Sequence, residues 1–229
     1  MMNVGIVFRA AQLAEDSELR ETAMTHCRTS RRYLVRGDGS TVHEGWFDTK
    51  TGEFLRAATH QGWRSDSTWA RGQAWAIYGF TTAYAHTRDS DMLNTARDVA
   101  DYYIEHTPAD GVPPNDWLDP APECPREASA AAIAAAGMQH LARQLEEHAD
   151  GRAAQHYREY ALRILSTLCS TEFLAVDTAG WEGILRHATY HHRNGIAIDE
   201  SVMWGEYYFV EALEMATATI PATAQGGSS

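Results

Sequence analysis

The chain has 229 residues, of which 44% are hydrophobic and 22% charged, so it is long enough to bury a sizeable core. Its formal net charge of −12 argues against a nucleic-acid or anionic-membrane partner, because such surfaces require a basic patch. No run approaches the roughly 18 apolar residues of a spanning helix, and no charged start precedes an apolar signal segment. The odd set of cysteines without CxxC spacing, Cys27, Cys124 and Cys169, favours reduced thiols and a cytoplasmic location.

Apolar spacing predicts a chain built almost entirely of helices. The predicted helices cover residues 2–14, 16–34, 68–86, 89–107, 127–147, 152–170 and 201–216. The predicted connections include a short extended segment over 41–55 with a turn at Thr51-Gly52, a proline-rich loop over 108–125 and a histidine-bearing loop over 181–199. Tyr207, Tyr208 and Phe209 are expected in the core, and residues 217–229 form a predicted flexible tail.

One internal repeat indicates the architecture. The segment from Asp16 to Ala23 and the segment from Asp89 to Ala96 share their Asp, Ser, Thr and Ala positions, and each begins the second helix of a predicted pair. Repeated helical hairpins bury their inner faces against neighbours, either in an open solenoid or in a closed ring. The loops predicted at one rim are long and aromatic, and the caps at the other rim are short and polar. This difference favours a closed ring with a functional site at the rim of the long loops. The predicted domain is therefore all-α and spans residues 1–216.

The segment from Asp66 to Phe80 has the most informative local pattern. Asp66, Ser67 and Thr68 are candidate N-caps, and Arg71 and Trp75 then lie one helical turn apart near the helix start. A guanidinium beside an indole, close to free backbone N–H groups, suits a ring-shaped ligand with a carboxylate, such as a uronic acid. The alternative is structural: Trp69 and Trp75 are core aromatics, and Arg71 holds the helix terminus.

The remaining motifs, present and absent, limit the kinds of functional site that the chain can contain. His187 and the His191-His192 pair suggest a metal, but the sequence lacks HExxH and a carboxylate at ligand spacing, so no metal is expected. The absence of GxSxG, P-loop and GxGxxG patterns removes the usual signals for a serine hydrolase, an NTPase and a dinucleotide enzyme, and no cofactor is expected. Polar and aromatic groups at the loop-to-helix junctions would converge if the helix starts share one rim, which is typical of a sugar site. These residues are His43, Gln61, Arg71, Trp75 and Asp116.

The chain resembles the unsaturated glucuronyl hydrolases of glycoside hydrolase family 88. The matching segments are 36–43, 51–53, 59–62, 67–80, 113–117 and 204–213, so the resemblance covers nearly the whole chain up to the tail. The run Trp-Ala-Arg-Gly-Gln-Ala-Trp over 69–75 is specific, because the related unsaturated rhamnogalacturonyl hydrolases usually carry Asn-Gly in place of Gln73-Ala74.

The resemblance implies an (α/α)6 barrel of six helical hairpins that acts on an unsaturated uronic acid oligosaccharide. In such enzymes a carboxylic acid protonates the C4=C5 vinyl ether, water adds at C5, and the resulting hemiketal opens to release the partner sugar. By motif match the substrate-binding residues are His43, Gln61, Arg71, Trp75 and, as a neighbour, Trp69. Asp116 is either a supporting carboxylate or a loop residue that caps the proline turn.

The chain departs from the family pattern at its start. Family members carry the catalytic aspartate in an Ile-Asp-x-Met-Met-Asn type motif, and Met1-Met2-Asn3 matches the end of that motif. No catalytic acid is therefore expected within the chain, because the aspartate would lie about two residues before Met1 and the barrel would be incomplete at the N-terminus. The alternative function is a non-catalytic helical scaffold or a sugar-binding remnant. A homo-oligomer that replaces the missing hairpins is also compatible with the sequence.

Overall fold

The computed structural model describes residues 1–121, 124–176 and 178–218. This part of the chain contains seven helices: α1 (Val4–Ala14), α2 (Ser17–Leu34), α3 (Ala70–Thr87), α4 (Ser90–His106), α5 (Ala128–Glu147), α6 (Gly151–Leu168) and α7 (Met203–Ala218). It also contains two antiparallel hairpins, formed by β1 (Glu44–Phe47) with β2 (Phe54–Ala58) and by β3 (Ala188–His191) with β4 (Ile196–Glu200). None of the helices in these ranges combines the length and apolarity needed to cross a membrane.

The helices form two rows. Consecutive helices pair as α1 with α2, α3 with α4 and α5 with α6, while α1, α3, α5 and α7 contact one another in series as an inner row. The second helix of each pair packs outside its partner. This alternation is the arrangement of an α/α barrel, and it confirms the predicted all-α fold class.

The core is centred on α5, whose first three turns consist largely of buried alanines. Small side chains allow α3 and α7 to approach α5 closely from either side. Gly137 shows how close this approach is, because a Cβ atom there would lie 3.0 Å from Cγ2 of Ile77 and 3.1 Å from the backbone nitrogen of Tyr78. Gly79 similarly makes room for Met1 and Met2, since its Cβ would lie 3.1 Å from their backbone.

The two rims of the barrel differ in the length of their connections. Residues 15–16, 88–89 and 148–150 join the helices of each pair at one rim, whereas the connections that follow α2, α4 and α6 are much longer and their described residues lie at the other rim. At the short rim an aspartate caps the second helix of every pair, namely Asp16, Asp89 and Asp150. The repeat detected at the first two aspartates therefore extends to a third hairpin. Because the helices alternate in direction, α1, α3, α5 and α7 all begin at the long-loop rim.

Several predicted boundaries need correction. Helix α3 begins at Ala70, because the Ser67 hydroxyl bonds to Arg64 and Asp116 instead of capping the helix. The predicted loop over 181–199 contains the β3–β4 hairpin, which turns at Gly195 with a φ of 65°. Tyr208 and Phe209 are buried as expected, but Tyr207 is 62% exposed, since three consecutive residues of a helix cannot all face its neighbours.

The C-terminal helix extends slightly further than the sequence predicts. Helix α7 continues through Ala218, so residues 217–218 of the predicted tail are helical, and residues 219–229 lie outside the described residues. None of the cysteines is paired, and Cys27 is buried while Cys169 is exposed.

Candidate functional site

A cavity of about 290 Å³ at the long-loop rim collects most of the predicted substrate-binding residues. His43, Gln61, Trp69 and Trp75 all line it, and Met1 and Met2, at the start of α1, line it too. The volume lies just below the roughly 300–1,000 Å³ that is typical of ligand pockets, which suits one sugar ring. No aspartate or glutamate is among the lining residues of this cavity.

The β1–β2 hairpin places His43 in the cavity. His43 immediately precedes β1, and the pairing of Glu44 with Ala58 brings the residues that follow β2 beside it. Nδ1 of His43 lies 3.0 Å from the Thr59 hydroxyl and accepts the His60 backbone N–H at 3.3 Å. Because Nδ1 is an acceptor, the neutral imidazole carries its proton on Nε2. The His43 ring packs on Trp69, with the ring centroids 4.2 Å apart.

The charge state of His43 follows from its surroundings. Burial disfavours the imidazolium and lowers the pKa of His43 to about 4, and the positive charge of Arg71 acts in the same direction, while Glu44 opposes it. At neutral pH the ring is therefore uncharged and can donate one hydrogen bond from Nε2 to a sugar hydroxyl or carboxylate.

We expect His43 to titrate with a midpoint near pH 4, against about 6.5 for an unperturbed histidine. The folded-state pKa is depressed, so the contribution of neutral His43 to stability is complete above pH 6.5 and is lost as the pH falls from there through 4. Histidine NMR across pH 3–8 would measure this midpoint, and His43→Gln identifies the resonance by its loss. A His43 midpoint near 6.5 would contradict the prediction.

The structure places Arg71 in a buried ion pair. Its side chain is 2% exposed, and Nη1 donates to Oε2 of Glu127 at 2.7 Å, while Glu127 itself is fully buried. The guanidinium also donates to two backbone carbonyls of β3, from Nη1 to Thr189 O at 2.5 Å and from Nη2 to Tyr190 O at 2.8 Å. The guanidinium is therefore occupied by the protein itself, which differs from the expectation that Arg71 meets a ligand directly beside Trp75.

Arg71 instead connects the walls of the site. Its guanidinium carbon lies 4.5 Å from the ring centroid of Trp69 and 5.1 Å from that of Trp204, so it holds an indole that lines the cavity. Gln61 reinforces the same junction, because its side-chain amide donates to Tyr190 O at 2.6 Å. The start of α3, the strand β3 and the loop after β2 are thus joined at the Tyr190 carbonyl.

Glu127, the acidic partner of this junction, was not predicted from the sequence. Oε1 of Glu127 accepts hydrogen bonds from the Ser129 hydroxyl at 2.7 Å, the Ser129 backbone N–H at 3.2 Å and the Thr189 backbone N–H at 3.3 Å. Its position directly before α5 was the available signal, since a side-chain acceptor there can cap a helix. Glutamate is an unusual N-cap, and nothing in the local sequence indicated that Arg71 would lie opposite it.

Asp116 has a structural role in the loops around the site. Its Oδ2 accepts the Ser67 hydroxyl at 2.6 Å and the Trp63 backbone N–H at 3.0 Å, and its Oδ1 accepts the Leu118 backbone N–H at 3.0 Å. Gly62 permits this packing, because a Cβ atom there would lie 3.0 Å from Oδ2 of Asp116. The buried carboxylate organises the approach to α3, as the loop alternative predicted, and it is not among the cavity-lining residues.

The two tryptophans contribute differently to the cavity. Trp69 is buried, and its indole N–H has no hydrogen-bond partner within the described part of the chain, although buried donors are normally paired. Trp75 is half-buried, packs edge-on against Tyr208 with centroids 5.3 Å apart, and lines a neighbouring cavity of about 670 Å³ as well. Trp75 is therefore part of the wall of both cavities.

The histidines that suggested a metal have separate partners. His187 bonds to Asp199, Nε2 of His191 accepts from Asn194 at 3.1 Å, and Nδ1 of His192 lies 3.7 Å from Oδ2 of Asp119. Within the described ranges, no group of three or more histidine, cysteine or acidic side chains is arranged to hold a metal ion.

Comparisons with known proteins identify the family of the chain. Glycosyl Hydrolase Family 88 matches residues 1–216. The unsaturated glucuronyl hydrolase of Bacillus sp. (strain GL1) is 38% identical over 214 residues, which cover 93% of this chain and 56% of that protein. The crystal structure of the unsaturated glucuronyl hydrolase from Bacillus sp. GL1 superposes with a TM-score of 0.87 over 92% of this chain and 55% of that one.

A structure with bound ligand is also similar. A mutant unsaturated glucuronyl hydrolase from Streptococcus agalactiae complexed with dGlcA-GalNAc6S is 30% identical, with a TM-score of 0.81 over 93% of this chain and 56% of that one. The chain thus spans about half the length of the curated relatives that it matches. Sequence and structure agree over nearly all of the described residues, and the chain belongs to Glycosyl Hydrolase Family 88.

Proposed function

We propose that this chain forms the sugar pocket of an unsaturated glucuronyl hydrolase, which releases 4,5-unsaturated glucuronic acid from glycosaminoglycan-derived oligosaccharides. One observation carries the proposal: His43, Gln61, Trp69 and Trp75, which were selected from the sequence motifs, line a single cavity of about 290 Å³. The cavity suits one sugar ring, so the non-reducing terminal residue would occupy it.

Each lining residue has a chemical role in this proposal. The indoles of Trp69 and Trp75 supply apolar surface for the ring. Neutral His43 donates from Nε2, while Gln61 fixes the β3 side of the pocket through its bond to Tyr190 O. Arg71 acts as a positioning residue, because its ion pair with Glu127 holds Trp69 and β3 in place.

The proton donor must come from outside the lining residues, since none of them is a carboxylic acid. Met1 and Met2 line the cavity, and an aspartate two residues before Met1 would lie within about 7 Å of Met1 along an extended chain. This supports the assignment of the acid to the family motif that ends at Asn3. That acid would protonate C4, water would add at C5, and opening of the hemiketal would release the partner sugar.

The absence of a carboxylate from the cavity lining favours a second candidate, a binding protein without hydrolytic activity. Such a remnant would retain the pocket and recognise the same unsaturated sugar. Both candidates predict that residues 1–229 bind the unsaturated sugar, and they differ in whether the protein hydrolyses it when the aspartate of the family motif is also present.

Calorimetry with an unsaturated chondroitin disaccharide tests the pocket, and the absorbance of the C4=C5 bond follows turnover in the same samples. We expect saturable binding and a constant absorbance for residues 1–229 alone, because the described pocket supplies donors and stacking but no acid. Absence of binding would disprove the pocket. A steady loss of absorbance would show that another residue of this chain donates the proton.

We also propose a cytoplasmic location. The location is supported by the cysteines, which are all unpaired although Cys169 is exposed, as expected in a reducing compartment.

A further inference from the structure

The outward face of the β1–β2 hairpin carries an aromatic and charged surface, which we term the hairpin shelf and define as Glu44, Trp46 and Arg56. Trp46 pairs with Arg56 across the two strands, and the guanidinium carbon of Arg56 lies 4.0 Å from the indole centroid. The indole N–H donates to Oε2 of Glu44 at 3.2 Å. The three side chains therefore fix one another's orientation. Trp46 nevertheless remains 48% exposed.

The other face of the hairpin is anchored to the barrel. Phe47 and Phe54 pack on Tyr33 of α2, with ring centroids 5.2 and 4.8 Å away. Gly45 lies against Leu34, since a Cβ atom at Gly45 would be 3.3 Å from Cδ2 of Leu34. The shelf is thus the free side of a hairpin that is held in place by its opposite side, which keeps the position of Trp46 defined.

Arg56, unlike Arg64, is stacked on an aromatic ring without also forming an ion pair with another described residue. Arg64 lies 4.4 Å from the ring centroid of Trp63, but its Nε also forms an ion pair with Oδ1 of Asp66 at 2.6 Å. Arg56 has no ion pair with a carboxylate in the described part of the chain. On a protein with a formal net charge of −12, this unpaired cation is suited to an anionic ligand.

The shelf begins directly after the cavity in the sequence, because Glu44 follows the cavity-lining residue His43. His43 lines the cavity and Trp46 follows it by three residues, which at about 3.3 Å per residue corresponds to ~10 Å. Because the cavity accommodates one ring, the remainder of an oligosaccharide must extend over the rim. A separation of this size leaves room for a sugar residue between the one in the cavity and the one at the shelf.

We propose that the hairpin shelf is a further subsite, which binds an acidic sugar two residues away from the unsaturated end. The free surface of Trp46 stacks on the sugar ring, Arg56 donates to its carboxylate or sulfate, and Glu44 accepts a hydroxyl. This inference rests on the proposed function and specifies its substrate class: oligosaccharides longer than a disaccharide and acidic beyond the first residue.

Calorimetry with an unsaturated disaccharide and with unsaturated tetrasaccharides, sulfated and unsulfated, tests the subsite. We expect a tetrasaccharide to bind about 10-fold more tightly than the disaccharide, which is the size of one charge-assisted contact. Arg56→Gln should remove this gain and leave disaccharide binding unchanged, and Trp46→Ala should reduce it. Arg163→Gln, on the outer helix α6, removes the same charge at a distance and should leave both affinities unchanged.

The outcomes separate the shelf from the pocket. Equal affinities for disaccharide and tetrasaccharide would overturn the shelf and retain the pocket. Tetrasaccharide binding that depends on Arg56, without disaccharide binding, would retain the shelf and overturn the pocket. An equal loss of tetrasaccharide affinity in Arg163→Gln would show that the effect depends on the net charge of the protein and not on the position of Arg56. This result would overturn the shelf. A gain with the unsulfated tetrasaccharide assigns the carboxylate as the anionic group, and a gain with only the sulfated one assigns the sulfate.

Discussion

Arg71→Ala is expected to lower the free energy of unfolding by about 3–5 kcal/mol, the cost of removing one partner from a buried ion pair. The substitution would leave the fully buried carboxylate of Glu127 without its guanidinium and would remove donors from the Thr189 and Tyr190 carbonyls. Urea denaturation followed by circular dichroism would measure the change. The effect is large because total stabilities of globular domains are only about 5–15 kcal/mol.

A double-mutant cycle shows whether the loss of stability comes from the ion pair between Arg71 and Glu127. Arg71→Met combined with Glu127→Leu should be less destabilising than either single change, because no unpaired charge then remains in the core. Arg97→Ala is the matched control: its ion pair with Asp150 is exposed and should contribute less than about 1 kcal/mol. A similar, small effect at Arg71 and Arg97 would refute the structural role that we assign to Arg71.

Trp75→Ala is expected to weaken binding of the unsaturated disaccharide by about 10- to 100-fold, or roughly 1.4–2.8 kcal/mol. Trp75 forms part of the wall of the sugar cavity and also of the neighbouring cavity of about 670 Å³. Removing the indole would therefore open the pocket and eliminate a stacking surface. Calorimetry at pH 7 measures the affinity, and far-UV circular dichroism verifies that the helices are retained.

Two further variants test whether a loss of affinity in Trp75→Ala comes from the pocket or from a general effect on the barrel. Trp75→Phe retains an aromatic face and the contact with Tyr208, so most of the affinity should return. Tyr207→Ala removes an aromatic side chain that is 62% exposed on α7 and should leave binding unchanged. An unaltered affinity in Trp75→Ala would exclude this indole from the pocket, and an equal loss in Tyr207→Ala would indicate a general effect on the barrel.

The helices were predictable from the sequence because their signals are local. Apolar spacing and the caps at Asp16 and Asp89 depend on residues within one or two turns, and the structure confirms both caps. The β3–β4 hairpin was missed because its strands have four and five residues and include histidines and charged side chains, so no clear alternation was visible. The exposure of Tyr207 also depends on which side of α7 meets α5, which composition does not reveal.

By itself, the sequence determined the all-α class, the paired helices and the motif residues that meet at one rim, because these depend on short-range periodicity and on family motifs. Only the tertiary structure decided that Arg71 is buried against Glu127, 56 positions away, and that Asp116 organises loops. A buried ion pair depends on two distant segments arriving at the same place. The sequence shows an arginine near an indole but not the carboxylate that neutralises it, because that contact exists only once α3, α5 and β3 have packed together.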